Sequence, residues 1–125
     1  MRFLITGGSG YIASRLVKFL RSQSLHVMTI SQKDLCESHN IQCKLGDTEA
    51  LKRALDASSP DIIIHTAWVN SLVQCEKNPD DCRVVNVDNS RSLMRAITSV
   101  APHVKVLFLS SDYVFDGSRG AMSLT

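Results

Sequence analysis

Met1-Arg-Phe-Leu-Ile-Thr-Gly-Gly-Ser-Gly-Tyr-Ile-Ala13 opens the chain and decides its fold. A short apolar strand, Phe3 to Thr6, runs into Gly7-Gly8-Ser9-Gly10 and then into a helical pattern from Tyr11. Gly8-x-Gly10-x-x-Ala13 satisfies G-x-G-x-x-G/A, and Gly7-x-x-Gly10-x-x-Ala13 is its variant spacing. The first glycine permits a tight turn. Gly10 removes a Cβ so that backbone can approach a phosphate, and a small Ala13 lets helix pack on strand. The N–H groups and dipole of the helix start favour an anion there, so a dinucleotide pyrophosphate is expected at this turn, with Gly7, Gly10, Tyr11 and Ile12 as contacts.

Outward from that turn, strand and helix alternate. Val27–Ile30 and the weaker Ile41–Leu45 read as strands. Tyr11–Arg21 reads as a helix with Ile12, Leu16, Phe19 and Leu20 inward. Thr48–Ala57 is predicted as a helix with Leu51, Ala54 and Leu55 inward, and Asp47 or Thr48 can cap it. After the breaker Ser58-Ser59-Pro60, Asp61-Ile-Ile-Ile-His65 is a continuous branched run. It suits a parallel strand covered on both faces. Asn78-Pro79 opens a helix running to about Val100, with Leu93, Ile97 and Val100 inward. Lys105–Leu109 is the last strand. Five strands with helical crossovers predict an α/β fold, a Rossmann-like doubly wound parallel sheet in order 3-2-1-4-5.

Composition bounds the remaining classes. The chain has 125 residues, 44% hydrophobic and 21% charged, as for one ordinary globular domain over 1–125. A net charge of +2 with no Lys/Arg cluster predicts no nucleic-acid footprint. No apolar run spans a membrane and no signal-peptide layout opens the chain, so a cytoplasmic, non-membrane protein is expected. Cys36/Cys43 and Cys75/Cys82 are each seven apart, too far for a zinc knuckle, so no metal is expected and the thiols are read as reduced.

The end of the second strand should read the ribose. Ser31-Gln32-Lys33 offers a hydroxyl and a cation and has no carboxylate before Asp34. A 2′-OH reader is usually acidic, so Ser31 and Lys33 lean toward the 2′-phosphate of NADP, with NAD as the alternative. His65, at the end of a buried strand, reads as a satisfied core histidine, and Trp68 falls on the loop facing the site.

Five segments together resemble the extended short-chain dehydrogenase/reductases. They are Thr6–Ala13, Gly46-Asp47-Thr48, Asp61-Ile-Ile-Ile-His-Thr-Ala67, Val85-Asn86-Val87 and Leu109-Ser-Ser-Asp-Tyr-Val-Phe-Asp-Gly117. The last resembles the S-[ST]-D-Y-V-F-D-G signature of the dTDP-4-dehydrorhamnose reductase branch. Ala13 departs from the family's usual third glycine. The resemblance implies an adenine-side role for Asp47 and Thr48 and a cofactor-flanking role for Thr66 and Ala67. It implies Ser111 as the residue polarising the keto group of a nucleotide-linked 4-keto sugar, with Tyr113 and Trp68 beside the substrate or cofactor. It further implies a Tyr-x-x-x-Lys pair, which these residues lack: Arg15 follows Tyr11 by four and Gly117 follows Tyr113 by four. The chain is therefore expected to be the N-terminal, cofactor-binding part of such a protein, without the sugar-binding lobe. Because the signature is similar to that of the regulatory β subunit of methionine adenosyltransferase, a non-catalytic role stays open, as does an epimerase or dehydratase. An apolar 105–109 strand left at the sheet edge should recruit a second copy or a covering partner.

Overall fold

The structure is a computed structural model and describes residues 1–118. Five parallel strands form one sheet in the order β3-β2-β1-β4-β5. They are β1 (Arg2–Thr6), β2 (His26–Ser31), β3 (Asn40–Gln42), β4 (Ile62–His65) and β5 (Lys105–Phe108). β1 is central, pairing Leu4 with Met28 on one side and with Ile63 on the other. The predicted strand order is the observed one.

Alternation along the strands sends side chains to two separate cores. Leu4, Ile30 and Ile63 meet α2 (Thr48–Ser58) and α5 (Asn89–Val100) through Leu51, Leu55, Leu93 and Ile97. Each of those four is 3% exposed or less, and burying such a side chain is worth roughly 1.5–3 kcal/mol. Ile5, Val27 and Ile64 meet α1 (Tyr11–Ser22) on the opposite face. Asp47 caps α2 as expected, its carboxylate accepting the Ala50 N–H at 2.9 Å.

The structure corrects three sequence expectations. The buried face of α1 is Ala13, Val17 and Leu20, whereas Ile12 is 55% and Phe19 61% exposed. The apolar arc of this helix is wider than the sheet beneath it, and the small Ala13 selects the flank that can approach most closely. The helix from Asn78 is also not uniform. α4 (Pro79–Arg83) passes through a π-helical turn, Val84–Asp88, before α5. A further short helix, α3 (Leu72–Lys77), precedes it, capped by Ser71 accepting the Gln74 N–H. Finally, Cys75 and Cys82, expected as reduced thiols, are joined in a disulfide. The α3–α4 corner, which periodicity did not reveal, brings their Cα atoms to 5.2 Å.

Among the described residues, β5 lies at the sheet edge, paired to β4 alone, with Leu107 54% and Phe108 43% exposed. Among the described residues, no helix is long and apolar enough to cross a membrane.

Candidate functional site

Two adjoining cavities open at the carboxyl ends of β1, β2 and β4, where open α/β sheets take their ligands. The smaller holds about 320 Å³ and is lined by Gly7, Gly10, Ser31, Thr66, Ala67 and Trp68 among others. The larger, about 600 Å³, is lined by Ile12, Thr66, Trp68, Asn86, Ser111 and Tyr113 among others. Thr66 and Trp68 form the wall common to both.

The glycine turn is built by three different constraints. Gly7 has φ +74°, a conformation that disfavours any side chain, and a Cβ there would sit 3.0 Å from Ala67 Cα. A Cβ on Gly8 would strike Thr29 Cβ at 2.8 Å, so this glycine lets the turn lie against β2. Gly10 is the N-cap of α1, in extended backbone, and among the described residues its Cβ would meet only Gly7 O, at 3.0 Å. The space above Gly10 is therefore open, at the start of a 12-residue helix. An anionic phosphate fits this cradle by shape and by the helix dipole.

The other sequence-predicted residues are placed unevenly. Ser31 lines the smaller cavity but is buried, and its hydroxyl is already engaged, 2.5 Å from Lys33 O and 3.0 Å from Asn40 Oδ1. Lys33 is exposed on the loop beyond β2 and does not line that cavity. Asp47 and Thr48 lie at the start of α2, with the Asp47 carboxylate engaged in the cap. Tyr11 is exposed, its ring stacked under the Arg15 guanidinium at 3.4 Å.

Ser111 faces the larger cavity from the start of the 3-10 turn Asp112–Val114. Its Oγ accepts the Tyr113 N–H at 3.3 Å. That bond uses a lone pair and leaves the hydroxyl proton free to donate into the cavity.

A buried polar chain holds the common wall. His65 is fully buried, and its Nδ1 lies 2.7 Å from Thr6 Oγ1 and its Nε2 3.0 Å from Ser90 Oγ. Ser90 Oγ donates to Asn86 O at 3.0 Å, so it can only accept from the ring. The histidine is thereby the Nε2–H tautomer, with Nδ1 accepting the Thr6 hydroxyl proton. Thr6 Oγ1 then accepts the Thr66 N–H at 3.2 Å, while Thr66 Oγ1 donates to Thr6 O at 2.6 Å. Burial pushes the imidazole pKa down from 6.5 to about 4, so the ring is neutral at ordinary pH. Trp68 and Phe108 pack against the ring, with centroids at 5.8 and 5.2 Å.

Asn86 fixes the next stretch of the wall. Its Oδ1 accepts the Val69 N–H at 2.8 Å and its Nδ2 donates to Val69 O at 3.0 Å. Asn86 sits within the π-helical turn, and such turns recur at functional sites. The Val85-Asn86-Val87 segment was legible as a motif, but its reach to Val69 was not. Asn89, which lines the smaller cavity and lies 3.1 Å from a Cβ built on Gly46, had no sequence signal at all.

Comparison with known proteins gives a consistent result. The chain is 29% identical over 119 residues to dTDP-4-dehydrorhamnose reductase of Sinorhizobium fredii, covering 95% of this chain and 36% of that protein. It is 27% identical over 118 residues to methionine adenosyltransferase 2 subunit beta of Bos taurus, covering 94% and 34%. The chain thus spans about a third of the length of the curated relatives it matches. Its fold matches dTDP-4-dehydrorhamnose reductase of Bacillus anthracis in complex with NADP. The TM-score is 0.79 at 26% identity, over 95% of this chain and 39% of that one. The RmlD substrate binding domain family matches residues 1–123, and with the sheet order, glycine turn and cavities above, the chain belongs to that family.

Proposed function

We propose that residues 1–125 are the dinucleotide-binding part of an NAD(P)H-dependent reductase acting on a nucleotide-linked 4-keto sugar. The observation that carries this reading is the junction of two cavities. One lies over the open Gly10 cradle, the other faces Ser111, and they share the Thr66–Trp68 wall. When bound, a reduced nicotinamide would supply hydride. Gly7, Gly10 and the α1 N-terminus would hold the pyrophosphate, and Thr66 and Ala67 would flank the dinucleotide. Ser111 would donate its hydroxyl proton as a hydrogen bond to the keto oxygen as negative charge develops there. No Tyr-x-x-x-Lys occurs in residues 1–125, so turnover by this mechanism needs a proton donor from outside them.

Trp68 is the only tryptophan, so its emission reports ligand entering either cavity. Titration with NADPH should change that emission saturably, and no change with folded protein would defeat the reading. Lys33→Ala should weaken NADPH roughly two- to fivefold and leave NADH unchanged, the worth of one exposed charge contact. Equal effects on both cofactors would remove the 2′-phosphate role from Lys33.

A second reading is favoured by the match to methionine adenosyltransferase 2 subunit beta. In it the chain binds a dinucleotide and serves a partner protein without catalysis. Dinucleotide binding with no consumption of NADPH in the presence of a 4-keto sugar nucleotide, by a protein carrying the full relatives' length, would select it.

The β5 edge adds an expectation under either reading. Leu107, Phe108 and Leu109 present exposed apolar side chains on a strand whose far edge meets no other strand among the described residues, a template for strand pairing. Size-exclusion chromatography of the 125-residue chain is expected to show concentration-dependent self-association. A monodisperse monomer at high concentration would refute it.

A further inference from the structure

Cys75 and Cys82 stand at the wall of the larger cavity, in a segment with little else to hold it. α3 and α4 have six and five residues, and neither contributes a buried side chain. The π-helical turn that follows contributes none either. Helices this short are not stable by their own hydrogen bonds, and segments without buried apolar contacts open at low free energy. The disulfide ties α3 to α4 across their corner, with Cα atoms 5.2 Å apart, within the normal span for such a bond.

Both sulfurs also touch the clamp that shapes the cavity. Cys75 lines the cavity, and its Sγ lies 4.0 Å from Val69 O. Cys82 Sγ lies 3.4 Å from Asn86 Nδ2, the amide nitrogen that donates to Val69 O. Val69 follows Trp68 directly. The covalent tie and the Asn86–Val69 clamp are therefore one assembly, and losing the first leaves the second on a segment without a core anchor. Both cysteines are half-buried and within reach of a small reagent, unlike the buried Cys43.

We propose that Cys75–Cys82 is a thiol–disulfide exchange site that sets the shape of the larger cavity. Disulfides that a reagent can reach are the labile, regulatory ones, which suits a bond placed on a cavity wall and outside the core. A dithiol reductant is the co-reactant. Its thiolate attacks one sulfur and displaces the other cysteine as thiolate. Its second thiolate then resolves the mixed disulfide, so two electrons and two protons end on Cys75 and Cys82 and the reductant leaves as a cyclic disulfide. Reduction frees α3 from α4 and loosens the Val69 wall. The consequence for ligand binding rests on the functional reading above, whereas the exchange itself does not.

The test uses the 125-residue chain equilibrated with oxidised or reduced dithiothreitol, then alkylated under denaturing conditions and weighed by mass spectrometry. Two alkylated cysteines in the oxidised form and four in the reduced form are expected. Trp68 emission should shift on reduction, return on reoxidation, and stay constant in the Cys75→Ser/Cys82→Ser double variant. NADPH affinity should fall about fivefold on reduction, the net worth of about one hydrogen bond. Four alkylated cysteines under oxidising conditions, or Trp68 emission that ignores the redox state, would overturn the proposal. NADPH affinity equal in both forms would overturn the control of binding. A protein that switches its Trp68 emission but binds no NADPH in either form would uphold the exchange site and refute the proposed function instead.

Discussion

Gly10→Val is expected to weaken dinucleotide binding by at least about 100-fold while leaving the fold in place. The size follows from excluding a phosphate from the charge-assisted bonds at a helix start, about 3 kcal/mol in total. The selectivity follows from the turn's own geometry. Gly10 has φ −80° and ψ 160°, backbone that valine adopts without strain. Its Cβ would meet one atom, Gly7 O at 3.0 Å, which must yield by a few tenths of an ångström. The two methyls beyond that Cβ project into the open cradle. The neighbouring glycines have no such freedom: Gly7 has φ +74° with Ala67 close by, and Gly8 lies against Thr29. Substituting them would disturb the packing of β1, β2 and the β4 loop, so lost binding there would say nothing of a ligand. Calorimetric titration with NADPH, paired with the thermal unfolding midpoint, checks the expectation. Unchanged affinity with an unchanged midpoint would remove the phosphate from Gly10.

What could be read in advance was set by local chemistry, and what could not was set by three-dimensional neighbours. The sheet order followed from strand–helix alternation and the handedness of parallel crossovers. The α2 cap was legible because Asp47 acts on Ala50, three residues on. The burial of α1 was not, because its apolar residues cover two flanks and only the sheet decides between them. The break of the long helix into α4, a π-helical turn and α5 carries no periodicity of its own, since apolar valines surround Asn86 throughout. Ser31 shows the same limit in the site. Its position at the end of β2 was correct, but its hydroxyl is held by Lys33 O, two residues on, and by Asn40 of β3, a partner that no local pattern connects to it. The disulfide fell out of view for the same reason, because a seven-residue spacing becomes a contact only when a helix corner folds it back.

His65 offers the second large effect, expressed in stability against pH. In the unfolded chain its imidazole titrates near 6.5, and in the folded chain near 4. Between those values the unfolded state holds a proton that the folded state refuses. The stability associated with the neutral ring is thus fully present above pH 6.5 and is lost as pH falls toward 4. At about 1.4 kcal/mol per pKa unit the loss is about 3 kcal/mol, a large part of a small domain's margin. Protonation would also reverse the polar chain. With both ring nitrogens donating, Nδ1 could no longer accept the Thr6 hydroxyl, and Thr6 is what holds the Thr66 N–H. The wall between the cavities should therefore loosen over the same pH range in which stability falls. Urea unfolding at pH 7, 6, 5 and 4 should show the wild type losing stability steeply below 6.5. His65→Gln, whose neutral amide can still donate toward Ser90, should be less stable at pH 7 by about 1–3 kcal/mol for the imperfectly satisfied polar chain. It should also decline more gently with acid, because a glutamine has no proton to gain. Parallel curves for the two proteins would show that acid acts through other groups and that the buried ring is not the titrating element.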